Sequence, residues 1–187
     1  MPAFLKVKEL LDQKVLGDVR FVDIEILQAQ DSGIVAESEV NWRLDPSISG
    51  GGYFHDLAPH QIDLMSHYFG DYVHAQGMAV NQGGRYGAAD YVSGMARFAT
   101  GVQFRGVWSF NMSPVNTRDR CAIYISEGSL EFSFYGEMVT LNTNSGSEIF
   151  RFEALEYVQQ PMIGATAWPI FLERDPIPVP PKRTWNP

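Results

Sequence analysis

The apolar positions of this chain change their period near residue 71. From Ala3 to Leu16 the residues Leu5, Leu10, Leu11 and Val15 recur at near-helical spacing, and Gly17 stands where a left-handed residue commonly ends a helix. Val19 to Ile26 is rich in β-branched residues and reads as a strand. Residues 31–52 are turn-rich, with Asp45-Pro46 and the run Gly50-Gly51-Gly52. Tyr53 to Phe69 reads as a second helix stopped by Gly70. Seven short β-rich segments follow: 72–80, 90–98, 102–110, 120–126, 129–135, 137–142 and 148–153. The links Thr100-Gly101, Glu127-Gly128, Tyr135-Gly136 and Asn144-Ser145-Gly146 are short and glycine-bearing, which predicts hairpins and antiparallel neighbours.

The pattern predicts an α+β domain, with two helices on one face of a large, mostly antiparallel open sheet. In 102–110 the apolar residues Val107 and Trp108 fall on opposite faces, so both sides of the sheet expect cover, one from helices and one from a partner subunit. A homo-oligomer, dimer or tetramer, is therefore expected. Seven of the eleven prolines lie between Pro161 and Pro187. That stretch suits neither a regular helix nor a central strand. The expected organisation is a domain over 1–160 and a proline-rich tail over 161–187.

Composition narrows the partners. The net charge is −8, with 14 basic and 22 acidic residues and no basic run, which argues against nucleic acid. No apolar run is long enough for a membrane helix. The single cysteine, Cys121, lies in an apolar strand and reads as a core thiol, and its solitude fits a reducing, cytoplasmic setting.

The chemistry gathers in Gly50–Gly70. On a helix, Asp56, His60, Asp63 and His67 fall within about 60° of one another, whereas Phe54, Leu57 and Met65 point away. Pro59 disturbs that arrangement unless the regular helix starts near Asp56, which would leave the proline in the first turn. A histidine beside a carboxylate makes a general acid or base, and the glycines before the helix would let backbone approach a ligand closely. The same pairs also read as solvated i,i+4 contacts of about 0.2–0.5 kcal/mol each. Metal binding is a third reading. His60 and His67, about 10.5 Å apart along the axis, cannot share one zinc ion, and no third ligand accompanies Asp56 and His60, so no metal is expected. The chain contains no GxxxxGK[ST], GxSxG, HExxH or CxxC motif and no dinucleotide-binding βαβ unit.

The string WRLDPSISGGGYFHDLAPHQIDLMSHYFGD resembles the signature of the glucose–fructose oxidoreductase / inositol dehydrogenase (Gfo/Idh/MocA) family. There a triple-glycine turn leads into a helix of the form Asp-x-x-x-His-x-x-Asp, matched here by Gly50, Gly51, Gly52, Asp56, His60, Asp63 and Gly70. KVKELLDQKVLGDVRFVDIE, FATGVQFRGVWSF and EYVQQPMI resemble its flanking segments, so the likeness covers about residues 3–165. The resemblance implies the C-terminal domain of a two-domain enzyme whose N-terminal Rossmann domain binds NAD or NADP. It further implies a sugar or polyol substrate, His60 as the acid/base, Asp56 as its orienting partner, and Trp42, Arg43 and Asp63 lining the substrate. The Rossmann domain, with its Glu-Lys-Pro motif, is missing from the sequence, and AWPIFLERDPIPVPPKRTWNP does not follow the family pattern. A shortened product, a gene remnant or a frame-shifted end is expected, with no cofactor bound by this chain alone and no activity alone. The alternative is a non-catalytic dimerisation or carbohydrate-binding module derived from such an enzyme.

Overall fold

In the computed structural model, residues 2–29 and 42–153 are described. The elements are α1 (Pro2–Asp12), β1 (Val19–Leu27), α2 (Pro46–Ser49), α3 (Tyr53–Phe69), β2 (Tyr72–Val80), β3 (Tyr91–Phe98), β4 (Gln103–Ser109), β5 (Arg118–Ile125), β6 (Gly128–Phe132), β7 (Met138–Thr143) and β8 (Gly146–Arg151), with short 3-10 turns at Trp42–Leu44 and Pro114–Asn116. All lie in one compact unit, Pro2–Phe152. The expectations for 161–187 and for EYVQQPMI fall outside the described residues.

The eight strands form one sheet in the order β2-β3-β4-β1-β5-β6-β7-β8. The predicted α+β architecture is thus the observed one. The glycine links do make the expected hairpins, β3–β4, β5–β6, β6–β7 and β7–β8. The arrangement adds one feature: β1 enters between β4 and β5 and runs parallel to β4, with Ile24 opposite Gly106. Its position in the middle follows from its side chains. Val22, Ile24 and Ile26 are fully buried on the helix side of the sheet. A parallel neighbour needs a long crossover, and the chain supplies it through α2, α3, β2 and β3.

α1 ends earlier than its apolar spacing suggests, and on a different stripe. Ala3, Val7 and Leu10 are buried, whereas Leu5 and Val15 are exposed. After Asp12 the chain turns through Lys14 and Gly17, both at positive φ. The early exit seats Leu16 in the core, where its carbonyl accepts from Glu127 N at 3.1 Å and Ser126 Oγ at 3.1 Å. Docking of the β5–β6 turn decides the helix end here.

Strand alternation sends Phe21, Met78, Met95, Met138 and Ile149 to the face away from the helices, and all five are exposed. The same face carries a charge network. Arg105 donates to both oxygens of the buried Asp23, at 2.9 and 2.7 Å, and Arg120 donates to Glu131 at 2.7 Å. Burial pushes the thiol of Cys121, on the inner face, well above its ordinary value, which makes it a core group rather than a nucleophile.

Candidate active site

α3 presents two unlike sides. Leu57, Ala58, Gln61, Met65 and Phe69 are buried against the sheet. The Phe54 ring packs edge-on to Trp108 with centroids 5.3 Å apart, and Trp108 Nε1 donates to Gln61 Oε1 at 2.6 Å. On the other side Asp56 is half-buried, and His60, Asp63 and His67 are exposed. The expected stripe of two carboxylates and two imidazoles is therefore brought onto one helix. His55 and His74 are exposed and lie off it.

The helix spans Tyr53–Phe69, as its pattern predicts, and the later start near Asp56 is not adopted. Regular helix begins at Tyr53, so Pro59 sits inside it rather than in its first turn. The proline removes the amide that would otherwise bond to the carbonyl of His55, and both residues are exposed. Asp56 and His60 consequently stand one helical turn apart on continuous helix.

The glycine run is used by the protein itself. Gly50 ends α2 in the left-handed region at φ 78°, and Gly52 precedes α3 at φ 76°. A side chain on Gly51 would run into the imidazole of His55. Ser49 Oγ accepts from Gly52 N at 2.9 Å and from Gly51 N at 3.4 Å. These two amides are thus engaged by Ser49 rather than held ready for a ligand. Upstream, Asp45 caps α2 by accepting from Ser47 N at 2.9 Å, and the hydroxyl and amide of Ser47 hold its carboxyl below the ordinary value. Trp42 lies in the turn that packs on α3 and is partly exposed. The side chain of Arg43 lies outside what is described.

Two residues with buried or shared polar contacts escaped the sequence reading: Gln61 on this helix and Asp119 on β5. The Asp119 carboxylate gathers the loop after β6. It accepts from Phe134 N at 3.0 Å, from Tyr135 N at 2.9 Å and from Ser133 Oγ. Phe134 packs edge-on to Phe132 and Phe4. The Tyr135 phenol is pushed up to about 12, first by burial and then by the charges of Asp119 and Asp56. It is therefore a neutral donor at physiological pH.

An apolar groove lies on the opposite flank of α3, lined by Phe54, Ile62, Ala75, Gly77, Ala96 and Trp108 among others, with no charged side chain. It contains neither Asp56 nor His60. Among the described residues no group of three or more His, Cys, Asp and Glu could hold a metal ion. Nor do they offer a nicotinamide dinucleotide its usual cradle: the one parallel pair, β1 and β4, is joined through two other strands, and the amides of Gly51 and Gly52 are already bonded.

The model of the GFO/IDH/MocA C-terminal domain matches residues 4–131. The chain belongs to that family. Oxidoreductase P35 of Formosa agariphila is 46% identical over 166 residues, which cover 89% of this chain and 50% of that protein. The chain thus spans about half the length of the curated relative it matches. Among solved structures, levoglucosan dehydrogenase in complex with NADH and levoglucosan superposes with a TM-score of 0.67 at 23% identity, covering 80% of this chain and 44% of that one. The aldose-aldose oxidoreductase of Caulobacter crescentus complexed with glycerol gives 0.67 at 17% identity, covering 93% and 52%. These structural likenesses establish the fold. Among the described residues no helix is long and apolar enough to cross a membrane.

Proposed function

We propose that this chain is the substrate-binding domain of an NAD(P)-dependent sugar or polyol dehydrogenase. The observation that carries the reading is the Asp56–His60 pair: an exposed imidazole one helical turn from a half-buried carboxylate, on the helix that follows the family's triple-glycine turn. His60 takes the proton of a substrate hydroxyl as its carbon is oxidised, and Asp56 orients the imidazole and stabilises the imidazolium. Asp63, Trp42 and Arg43 line the substrate. The hydride acceptor belongs to a dinucleotide-binding domain, which the described residues do not form, so the domain of residues 1–160 supplies proton handling and substrate recognition and is inactive by itself. Cytoplasmic residence belongs to the same proposal.

The outer sheet face supports a second role within this reading, self-association. Phe21, Met78, Met95, Met138 and Ile149 are exposed there beside the Asp23–Arg105 pair. Were the domain solely a dimerisation module, Asp56 and His60 would be idle.

Calorimetric titration with aldoses, levoglucosan, inositol and glycerol tests the proposal. His60→Ala and Asp56→Asn are expected to weaken binding of the preferred ligand at least about tenfold, the loss of a charge-assisted contact. Equal binding by wild type and both variants would overturn it, and so would stoichiometric binding of NAD or NADP by this domain.

A further inference from the structure

We propose that Ser49 is a positioning residue of the Asp56–His60 site: its hydroxyl holds the triple-glycine turn, and that turn sets the first turn of α3, on which Asp56 stands. The inference rests on the dehydrogenase reading given above and assigns a role to a side chain that acts through backbone amides.

The glycines that make this turn also leave it loose. Gly50 and Gly52 lie at φ 78° and 76°, where other residues are strained, and a side chain on Gly51 would meet the His55 imidazole. All three positions thus call for glycine, the residue with the widest backbone freedom, directly before the helix that carries the acid/base pair. Gly52 occupies the N-cap of α3 and has no side chain with which to cap it. The fixing oxygen comes from Ser49 instead. Its Oγ accepts from Gly52 N at 2.9 Å and from Gly51 N at 3.4 Å, and it donates to the Asp45 carbonyl at 2.9 Å. A hydroxyl has one donor and two acceptor positions, and each is used. Asp45 is itself fixed, because its carboxylate accepts from the amide and the hydroxyl of Ser47 at 2.9 and 2.6 Å.

The other side of the first turn is weakened too. Pro59 has no amide for the carbonyl of His55, so one of the bonds that would tie the first turn of α3 to the next is missing. Asp56 lies between these two interruptions, and its place depends on the preceding turn more than that of a mid-helix residue would. The apolar neighbours of the turn do not replace the hydroxyl. Pro46 lies against Gly87, and the Tyr53 ring packs edge-on to Tyr86 with centroids 6.1 Å apart, contacts that offer the amides of Gly51 and Gly52 no acceptor.

The test uses the full 187-residue chain, with whichever of the aldoses, levoglucosan, inositol and glycerol wild type binds most tightly as probe. Ser49→Ala is expected to weaken binding about five- to tenfold, the scale of one lost hydrogen bond. It is also expected to speed hydrogen exchange about tenfold at the amides of residues 55–58, the first of which donates to Gly52 O at 3.1 Å, and to leave residues 62–69 unchanged. Ser49→Thr keeps the hydroxyl and is expected to restore both. Ser47→Ala removes a hydroxyl of α2 that does not bond the glycines, and is expected to bind and exchange like wild type. All proteins are compared well below their thermal midpoints, so that loss of folded protein does not enter. Unchanged exchange in Ser49→Ala overturns the inference whether or not a probe binds. Ser49→Thr or Ser47→Ala behaving like Ser49→Ala overturns it as well, because the hydroxyl on the glycines would not be the cause. If Ser49→Ala binds like wild type while His60→Ala does not, the inference falls and the dehydrogenase reading stands. If His60→Ala binds like wild type, the dehydrogenase reading falls and the positioning role falls with it.

Discussion

The indole of Trp108 occupies the space that a side chain on Gly106 would fill, two positions back on the same face of β4. This lets the ring lie along the strand and extend its Nε1 to Gln61 on α3, and it joins the central sheet to the helix bearing Asp56 and His60. Gly106→Ala is expected to destabilise the fold by about 1–3 kcal/mol through overpacking, and to move the indole away from Gln61. Urea unfolding and the Trp fluorescence maximum report the two effects. An unshifted urea midpoint would show that the ring moves aside freely.

Asp23 and Arg105 give a second prediction. Asp23 is 3 % exposed and held by a two-pronged contact from Arg105, with Arg120 3.9 Å away. Arg105→Ala leaves a buried carboxylate with the weaker of its two cations and is expected to cost about 1–3 kcal/mol. Arg105→Lys is expected to recover only part, since an ammonium cannot match both oxygens. The double replacement Asp23→Leu, Arg105→Met is expected to lie closer to wild type than Arg105→Ala does, because it removes the uncompensated charge. Chemical denaturation of the three variants decides this, and additive losses in the double variant would contradict it.

These sites show what the sequence makes legible. Strand positions were readable because glycine links and β-branched runs are local signals, and they returned each hairpin. The parallel pairing of β1 with β4 was not, since alternation in Val19–Leu27 says which face is buried and nothing about which strand lies alongside. Asp56 and His60 were visible through helical spacing. Gln61 carried a signal that went unused: a polar residue at a position flanked by buried Leu57, Ala58 and Met65 must find a partner. Asp119 carried none, because its partners Ser133, Phe134 and Tyr135 meet it only through the fold. The early end of α1 was hidden for the same reason, being set by Leu16 docking on the β5–β6 turn.

The outer face of the sheet predicts self-association. Met78 and Met95 are exposed on neighbouring strands there, beside Val107 of β4. Sedimentation at micromolar concentration is expected to show a dimer or tetramer for wild type. Met95→Glu combined with Met78→Glu is expected to give monomer with an unchanged circular dichroism spectrum. Wild type that sediments as a monomer would remove this face from the interface.

Alkaline pH supplies the last prediction. Burial is the main cause that raises the phenols of Tyr68, Tyr86 and Tyr135 above their ordinary value, Tyr135 to about 12. A group whose folded pKa is raised keeps its proton longer in the native state than in the unfolded one. Its contribution is therefore complete below the unfolded value of about 10, and it is lost as pH rises from there through the folded value. Stability is expected to be flat near pH 8 and to fall between pH 10 and 12. Tyr68 donates to the Phe4 carbonyl at 2.9 Å, so Tyr68→Phe is expected to lower stability near pH 8 and to make the alkaline decline shallower. Urea midpoints at pH 8, 9, 10 and 11 for wild type and Tyr68→Phe measure the slope directly. Parallel curves for the two proteins would mean that the Tyr68 phenol ionises alike in the folded and unfolded chain.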